Sequence, residues 1–499
     1  MEFQYKGKTM SLKVETPNIL FILTDQHRLS AMGCYGDTPC KTPNLDKLAA
    51  NGIRFANAYT ACPVCSPARG SIMTGVYPHT HGICSNVYNL GNSVHELIDS
   101  PALLSRRLLS AGYQCGYSGK WHLGEGTEGR FGLNNKACLP RDVGFQGQNF
   151  PGHGDGGFRY PEYMEFLAEN DYKHEVNAPN ERAGKVWPCG TLSGPTESTV
   201  PYFLTSNTID LMDSFAGKQQ PFFIWHNFWG PHSPYYVPEE FYNLYKDIEI
   251  PPWPNFDWKP DIDAPCQAKR HPKADELAWE DWAAAIKYYY AFTSLIDDQV
   301  GRMLDYLDES GLADNTIVVF SADHGETLGS HGGLTDKGWS HFEEIQRIPL
   351  IIRMPEKYRA ETLTPGTVVD EFASLLDLYP SFLDFAGAPE LGYQTHGCSL
   401  APLLEKREVT WRDSVFIEFY GVNNLAISMV TVRHGNIKYG WNCSNADELY
   451  DLEQDPNEIC NLALEPEHED TLKEMRRRLG DWMRDTSHPA FNMYAWKLL

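Results

Sequence analysis

The chain has 499 residues, 42% of them hydrophobic and 22% charged, with a formal net charge of −24. That length admits a large core and two structural units rather than one, and the composition is that of an ordinary globular protein. The strong negative charge argues against nucleic-acid binding and against adhesion to an anionic membrane, and disfavours a long polyanionic substrate unless basic side chains are concentrated in a cleft.

Met1 to Glu15 carries lysines but no apolar stretch, and no run approaches the length of a membrane span, so a cytoplasmic setting is expected. The twelve cysteines are then expected in a reducing compartment, most of them as packing residues. Asn18 to Asp25 is a continuous apolar run ending in an acid, the pattern of a buried strand whose carboxyl end opens into a site. Next comes Cys65-Ser66-Pro67-Ala68-Arg69. Pro67 suits a first helical turn, so Cys65 is expected at or just before a helix N-terminus, where free N–H groups attract an oxyanion. Arg69, four residues on, projects from the same side of that helix. Cys62 and Cys65 also have the C-x-x-C spacing of redox and zinc sites, but no second such pair occurs, and Pro67 and Arg69 complete a different pattern.

Gly124 to Gly157 reads as a long irregular insertion over one face. Pro221 to Asn227 is a second buried strand, and Pro251 to Pro272 a surface excursion. Trp282 to Leu307 carries Ile286, Tyr289, Ile296, Val300, Met303 and Leu307 at helical spacing. Asn315 to His324 repeats the strand-then-acid pattern, and Ile348 to Arg353 adds another apolar run. Strands alternating with helices predict an α/β fold with a largely parallel sheet. Ligands of such sheets collect beyond the carboxyl ends of the strands, where Asp25 and Asp323 fall. From Trp411 the pattern changes to short alternating runs, followed by a terminal helix over Glu467 to Thr486, with Pro466 suited to its first turn. Two domains are expected, residues 1–410 and 411–499.

Asp25 and Gln26, with Asp323 and His324, offer carboxylate, amide and imidazole donors suited to a divalent cation once both strand ends meet. Taken singly, Asp25 reads as a strand cap and His324 as a core histidine. Lys120 and His122, two apart, would point the same way if a strand continues through them. Lys337 and His232 add another cation and another titratable ring. One lysine alone reads as a solvated surface group, but with Arg69 these residues form a cluster suited to a tetrahedral oxyanion.

Cys65-Ser66-Pro67-Ala68-Arg69 resembles the C-x-P-x-R signature of type I sulfatases, members of the alkaline phosphatase superfamily. Gly119-Lys120-Trp121-His122, Pro231-His232-Ser233-Pro234, Ser321 to Glu326 and Thr335-Asp336-Lys337-Gly338 are similar to further blocks of that family, in its order. The resemblance implies a large alkaline-phosphatase-like α/β domain, its mostly parallel mixed sheet sandwiched by helices, and a small C-terminal α+β subdomain with an antiparallel sheet. It implies a sulfuric ester hydrolase whose Cys65 is oxidised to formylglycine by a separate maturation enzyme. One divalent cation would be held by Asp25, Gln26, Asp323 and His324. The family often has Asp at the position of Gln26 and Asn at that of His324, so the site here is less acidic than the oxygen-only version, which leaves calcium the first expectation and puts manganese and magnesium in reach. Arg69 and Lys120 would stabilise the nucleophile and the transferring group, His232 with Lys337 would protonate the leaving oxygen, and His122 would expel sulfate. The expected substrate is a small carbohydrate or aryl sulfate, with His79, His81, Asn86 and Tyr235 as candidates to line its pocket. A phosphonate monoester or phosphodiester hydrolase of the same superfamily and a non-catalytic binder of sulfated ligands are the alternatives. The Gly119 to His122 block favours the sulfatase.

Overall fold

The computed structural model describes residues 16–87, 94–124, 138–150, 154–158, 160–173, 175–218, 220–260, 264–360, 363–389, 392, 394–422 and 425–498. The reading of Met1 to Glu15, residues 125–137 and 151–153 of the Gly-rich insertion, and residues 261–263 of the proline-rich excursion lie outside them.

Eight strands build the large sheet: β1 (Asn18–Asp25), β2 (Ile53–Phe55), β3 (Gln114–Gly119), β4 (Gln146–Gly147), β5 (Phe222–Pro231), β6 (Thr316–Ala322), β7 (Leu350–Arg353) and β8 (Thr367–Val369). Their spatial order is β8-β2-β7-β6-β1-β5-β3-β4. Only β7 runs antiparallel to its neighbours, so the sheet is mixed but mostly parallel. The central strands read as unbroken apolar runs because both faces are covered. Along β1, Ile19, Phe21 and Leu23 pack into one core with Ala68, Ile72, Tyr379 and Phe382. Leu20 and Ile22 face the opposite core, built largely from the long helix. That helix is Trp279–Glu309, three residues longer at its start and two at its end than the periodicity predicts.

The helix α1 (Cys65–Thr74) is buried from Cys65 through Met73, and Gly75 in a left-handed conformation ends it. A helix enclosed on all sides has no polar face, which is why its hydrophobic periodicity is weak.

The C-terminal strands β9 (Ser414–Val422), β10 (Leu425–His434), β11 (Ile437–Asn442) and β12 (Glu448–Asp451) form a separate antiparallel sheet in simple sequential order. The helix α2 (Glu469–Asp485) lays Leu472, Met475, Leu479 and Met483 on Val430, Val432 and Trp441 of that sheet. Its apolar residues fall on one stripe, so one sheet face is covered and the surface remains polar. Among the described residues no helix is long and apolar enough to cross a membrane.

Candidate active site

Because β1, β3, β5 and β6 are parallel, their carboxyl ends share one edge, where Asp25, Lys120, Asp323 and His324 gather. Asp25 ends β1, Asp323 and His324 follow β6, Lys120 follows β3, and Asn227 lies in β5 level with Leu23 and Gly119. The N-terminus of α1 brings Cys65 to the same place. Its Sγ is 3.4 Å from His324 Nε2, 3.5 Å from Lys120 Nζ and 3.7 Å from Asp25 Oδ1.

Arg69 is the centre of this arrangement and is wholly buried. It donates to Asp323 Oδ2 at 3.1 Å, to Asp25 Oδ2 at 3.2 Å, to Asn227 Oδ1 at 2.7 Å and to the Lys120 carbonyl at 2.9 Å. The guanidinium therefore binds the two carboxylates to each other and to the neighbouring strands. Lys120 Nζ donates to Asp25 Oδ2 at 2.6 Å and lies 4.4 Å from the Trp229 ring centroid.

Burial raises the pKa of Asp25, but Lys120, Lys337, His232 and Arg69 outweigh it and hold the carboxyl well below the usual range. Asp323 is pushed up by burial and by the Asp25 charge against the pull of His324 and Arg69. Burial and Asp25 oppose ionisation of the Cys65 thiol, yet Lys120, Lys337 and His324 lower its pKa overall. His324 is raised, because Asp323 and Cys65 overcome its burial.

Asp25, Cys65, Asp323 and His324 each offer a ligand atom within 4.8 Å of the others. His324 Nδ1 is 3.0 Å from the Gly325 carbonyl, so it keeps a proton, and the neutral ring would turn its Nε2 lone pair toward Cys65 and Asp323. That is the second contact typical of metal-bound histidines. Two carboxylates and one such imidazole, all buried, fit a divalent cation. The Gln26 amide oxygen accepts from Lys337 Nζ at 2.8 Å.

Two expectations need correction. The strand does not continue through Lys120 and His122. β3 stops at Gly119, whose φ is +101°, and a Cβ there would lie 1.7 Å from the Asn227 carbonyl oxygen. Only glycine permits that approach. His122 follows at φ +57°, buried, its carbonyl accepting from Ser66 Oγ at 2.7 Å beside Cys65. The four pocket candidates also do not converge. Asn86 Oδ1 accepts from the Ser66 N–H at 3.2 Å, holding the start of α1. His81 packs behind α1 against Gly70, with Nε2 3.2 Å from Ser71 Oγ. His79 pairs with Glu418 of the C-terminal sheet. Tyr235 is fully buried against Trp187 and Tyr289.

His232 is pushed down to about 3 by burial and by Lys337, and its Nδ1 is 2.7 Å from the Ser233 carbonyl. Lys337 is raised, held as a cation by Cys65, Asp336 and Asp25 against its own burial. Sequence reasoning assigns no role to Asn227 or Glu326. Asn227 lies inside β5, between His226 and Phe228, so the strand-end rule would not have found it. Glu326 stands two residues after His324 and takes a hydrogen bond from Gln26 Nε2. Burial and Asp336 raise its pKa against the hydrogen bonds from Gln26, Leu328 and Asp336.

The sulfatase family profile matches residues 17–388, and the profile described as N-sulphoglucosamine sulphohydrolase, C-terminal, matches residues 329–485. The chain is 29% identical to an uncharacterized sulfatase of Escherichia coli over 97% of this chain and 90% of that protein. It is 28% identical to an N-acetylglucosamine-6-O-sulfatase of Bacteroides thetaiotaomicron over 94% of this chain and 86% of that one. In fold it is similar to the phosphonate monoester hydrolase of Agrobacterium radiobacter, with TM-score 0.76, 23% identity, and coverage of 94% and 96% of the two chains.

Proposed function

The chain belongs to the sulfatase family and is a sulfuric ester hydrolase, and from that premise we propose that its nucleophile is the hydrated aldehyde of a formylglycine made from Cys65. The observation that carries this reading is the position of Cys65 at the first turn of a buried helix, within 3.7 Å of His324, Lys120 and Asp25. A thiol kept only for packing has no need of three polar neighbours.

Asp25, Asp323 and His324, with the amide oxygen of Gln26, would hold a divalent cation, calcium first among the candidates. When bound, that cation supplies Lewis-acid polarisation and makes a hydroxyl more acidic. The side chains do the rest. Lys120, anchored on Asp25, directs its ammonium at the reacting side chain at position 65. Arg69 acts through the carboxylates it clamps, and the fixed cations Lys120 and Lys337 meet the charge of the ester oxygens in a dry site.

One hydroxyl of the geminal diol, ionised beside Lys120 with its proton released to solvent, attacks sulfur as an alkoxide, and the bond from sulfur to the alkyl or aryl oxygen breaks. His232 gives its proton to the departing oxygen, beside Lys337. In the substrate-free protein this ring is neutral at pH 7, and the negative charge of the bound ester draws a proton onto Nε2. His122 then takes the proton of the remaining hydroxyl, the carbon–oxygen bond to sulfate breaks, and the aldehyde is restored. A serine ester lacks that internal exit.

We assign a small sulfated carbohydrate or aryl sulfate as the substrate class. The N-acetylglucosamine-6-O-sulfatase relative supports the carbohydrate. Mass spectrometry of the peptide spanning residues 61–75, from protein made with a maturation enzyme, is expected to show formylglycine at position 65. An active preparation carrying only the thiol overturns the nucleophile. Sulfated mono- and disaccharides assayed beside aryl sulfates and a phosphonate monoester fix the class, with sulfate esters expected to be turned over fastest.

A further inference from the structure

Glu326 is buried two residues beyond His324, and its two carboxylate oxygens are divided between two partners of the site. Oε1 accepts from the Asp336 N–H at 2.6 Å, the Leu328 N–H at 3.2 Å and Thr327 Oγ1 at 3.3 Å. Oε2 accepts from Gln26 Nε2. On its other side Gln26 Oε1 accepts from Lys337 Nζ at 2.8 Å. An ammonium can only donate and a carboxylate ringed by four donors can only accept, so the amide between them has a single allowed orientation. The Gln26 backbone is pinned as well. Its N–H donates to Asp323 Oδ1 at 3.1 Å and its carbonyl accepts from Tyr289 Oη at 2.9 Å.

We infer that Glu326 is a positioning residue that fixes the Gln26 amide with its oxygen toward Lys337 and the Asp25–Asp323–His324 cluster. Through the Asp336 N–H it also ties the loop of Lys337 to the strand end carrying Asp323 and His324. Both links require a side chain that accepts at both of its ends, and among the neutral isosteres none does. A glutamine at position 326 has one accepting and one donating end. Either its NH2 confronts the donors of Asp336, Leu328 and Thr327, or it confronts Gln26 and turns that amide so that an NH2 faces the Lys337 ammonium.

This inference rests on the cation site proposed above, and the experiment separates the two. Calcium and manganese binding to the metal-stripped protein is measured by titration calorimetry, with turnover of 4-nitrophenyl sulfate alongside. E326Q is expected to lose about 10- to 100-fold in cation affinity and in kcat/KM, the usual scale for a residue that orients a ligand. The exchanged pair Q26E/E326Q rebuilds every hydrogen bond. Its amide at position 326 accepts from Asp336 and donates to the carboxylate at position 26, which also accepts from Lys337. The exchanged pair is expected to recover most of both losses, which a merely space-filling role at position 326 would not allow. E326Q equal to wild type in both measurements overturns the inference, as does an exchanged pair no better than E326Q. If E326Q fails to fold, a folded and cation-binding exchanged pair supports the inference and an unfolded one overturns it. Wild-type protein that binds neither cation defeats the cation site, and recovery of turnover in the exchanged pair then decides on Glu326 alone.

Discussion

Among the described residues, two groups of three or more ligand-type side chains combine carboxylate with imidazole, and they differ in where the ring nitrogens point. At the edge of the large sheet, His324 donates from Nδ1 to the Gly325 carbonyl and turns Nε2 toward Cys65 and Asp323. Where the C-terminal sheet meets the turn after α1, Glu418 lies between His79 and His488. There His79 Nε2 is 3.0 Å from the Thr486 carbonyl while its Nδ1 lies against Glu418, and His488 Nδ1 accepts from the Ala490 N–H at 3.1 Å. A neutral ring that accepts at Nδ1 carries its proton on Nε2, so His488 presents a donor to Tyr420 Oη, 2.7 Å away, and to Glu418. The first cluster has lone pairs converging on one point. The second has satisfied itself internally, as an ion pair between His79 and Glu418 that joins the C-terminal sheet to the segment following the nucleophile helix. Three ligand-type residues close together are therefore not enough to make a metal site.

The comparison breaks most sharply at Asp323. Asp323→Asn should lose about 10³-fold or more in kcat/KM, the scale of removing one principal electrostatic group, and should lose bound metal by elemental analysis. Glu418→Gln should leave metal content at the wild-type level. A variant at Glu418 that loses the metal, or one at Asp323 that keeps it, would exchange the two assignments.

Next in size is a stability effect at the second cluster. Removing the charge of Glu418 leaves His79 buried beside a neutral amide, and breaking such a buried pair costs about 3–5 kcal/mol. Denaturant unfolding of Glu418→Gln should show that loss, and the denaturation of the C-terminal sheet should separate from that of the rest of the chain.

The smallest effect is a pH dependence. Burial opposes protonation of His79, but the hydrogen bond and charge of Glu418 and the Thr486 carbonyl raise its pKa above the ordinary value. A group raised on folding contributes stability that is complete below its unfolded pKa and lost as pH rises through the folded one. The melting temperature of the wild type should thus fall, relative to His79→Gln, as pH rises above the ordinary histidine range. Parallel curves for the two proteins would mean that His79 is not charged in the folded state.

Much of this was legible in the chain itself. The runs at residues 19–23 and 317–320 read as strands covered on both faces, since five and four consecutive apolar residues leave no side for water. Pro67 marked the start of the helix that carries Cys65, because it acts through its own backbone. The alternating runs after Trp411 and the terminal helix behind them announced a separate unit, while the burial of both sheet faces, one under α2 and the other on Tyr59, Phe372 and Trp339, was decided by packing. The elements themselves are local consequences of backbone preference and side-chain period.

What the sequence could not decide is which atoms meet. Arg69 was readable as a cation near the nucleophile, yet its partners Asp25, Asn227 and Asp323 lie 44, 158 and 254 residues away and reach it only because four strands run parallel and end at one edge. His79 and His81 share one short turn, but one faces the C-terminal sheet and the other the back of α1, a division made by packing and not by spacing. The same holds for the direction of the Gln26 amide, which depends on a lysine and a glutamate 311 and 300 residues distant. Residue type and local pattern determine which chemistry the chain carries and where its elements begin and end. Only the tertiary structure, by setting strand order and burial, determines which lone pairs stay open to a ligand and which are used up within the protein.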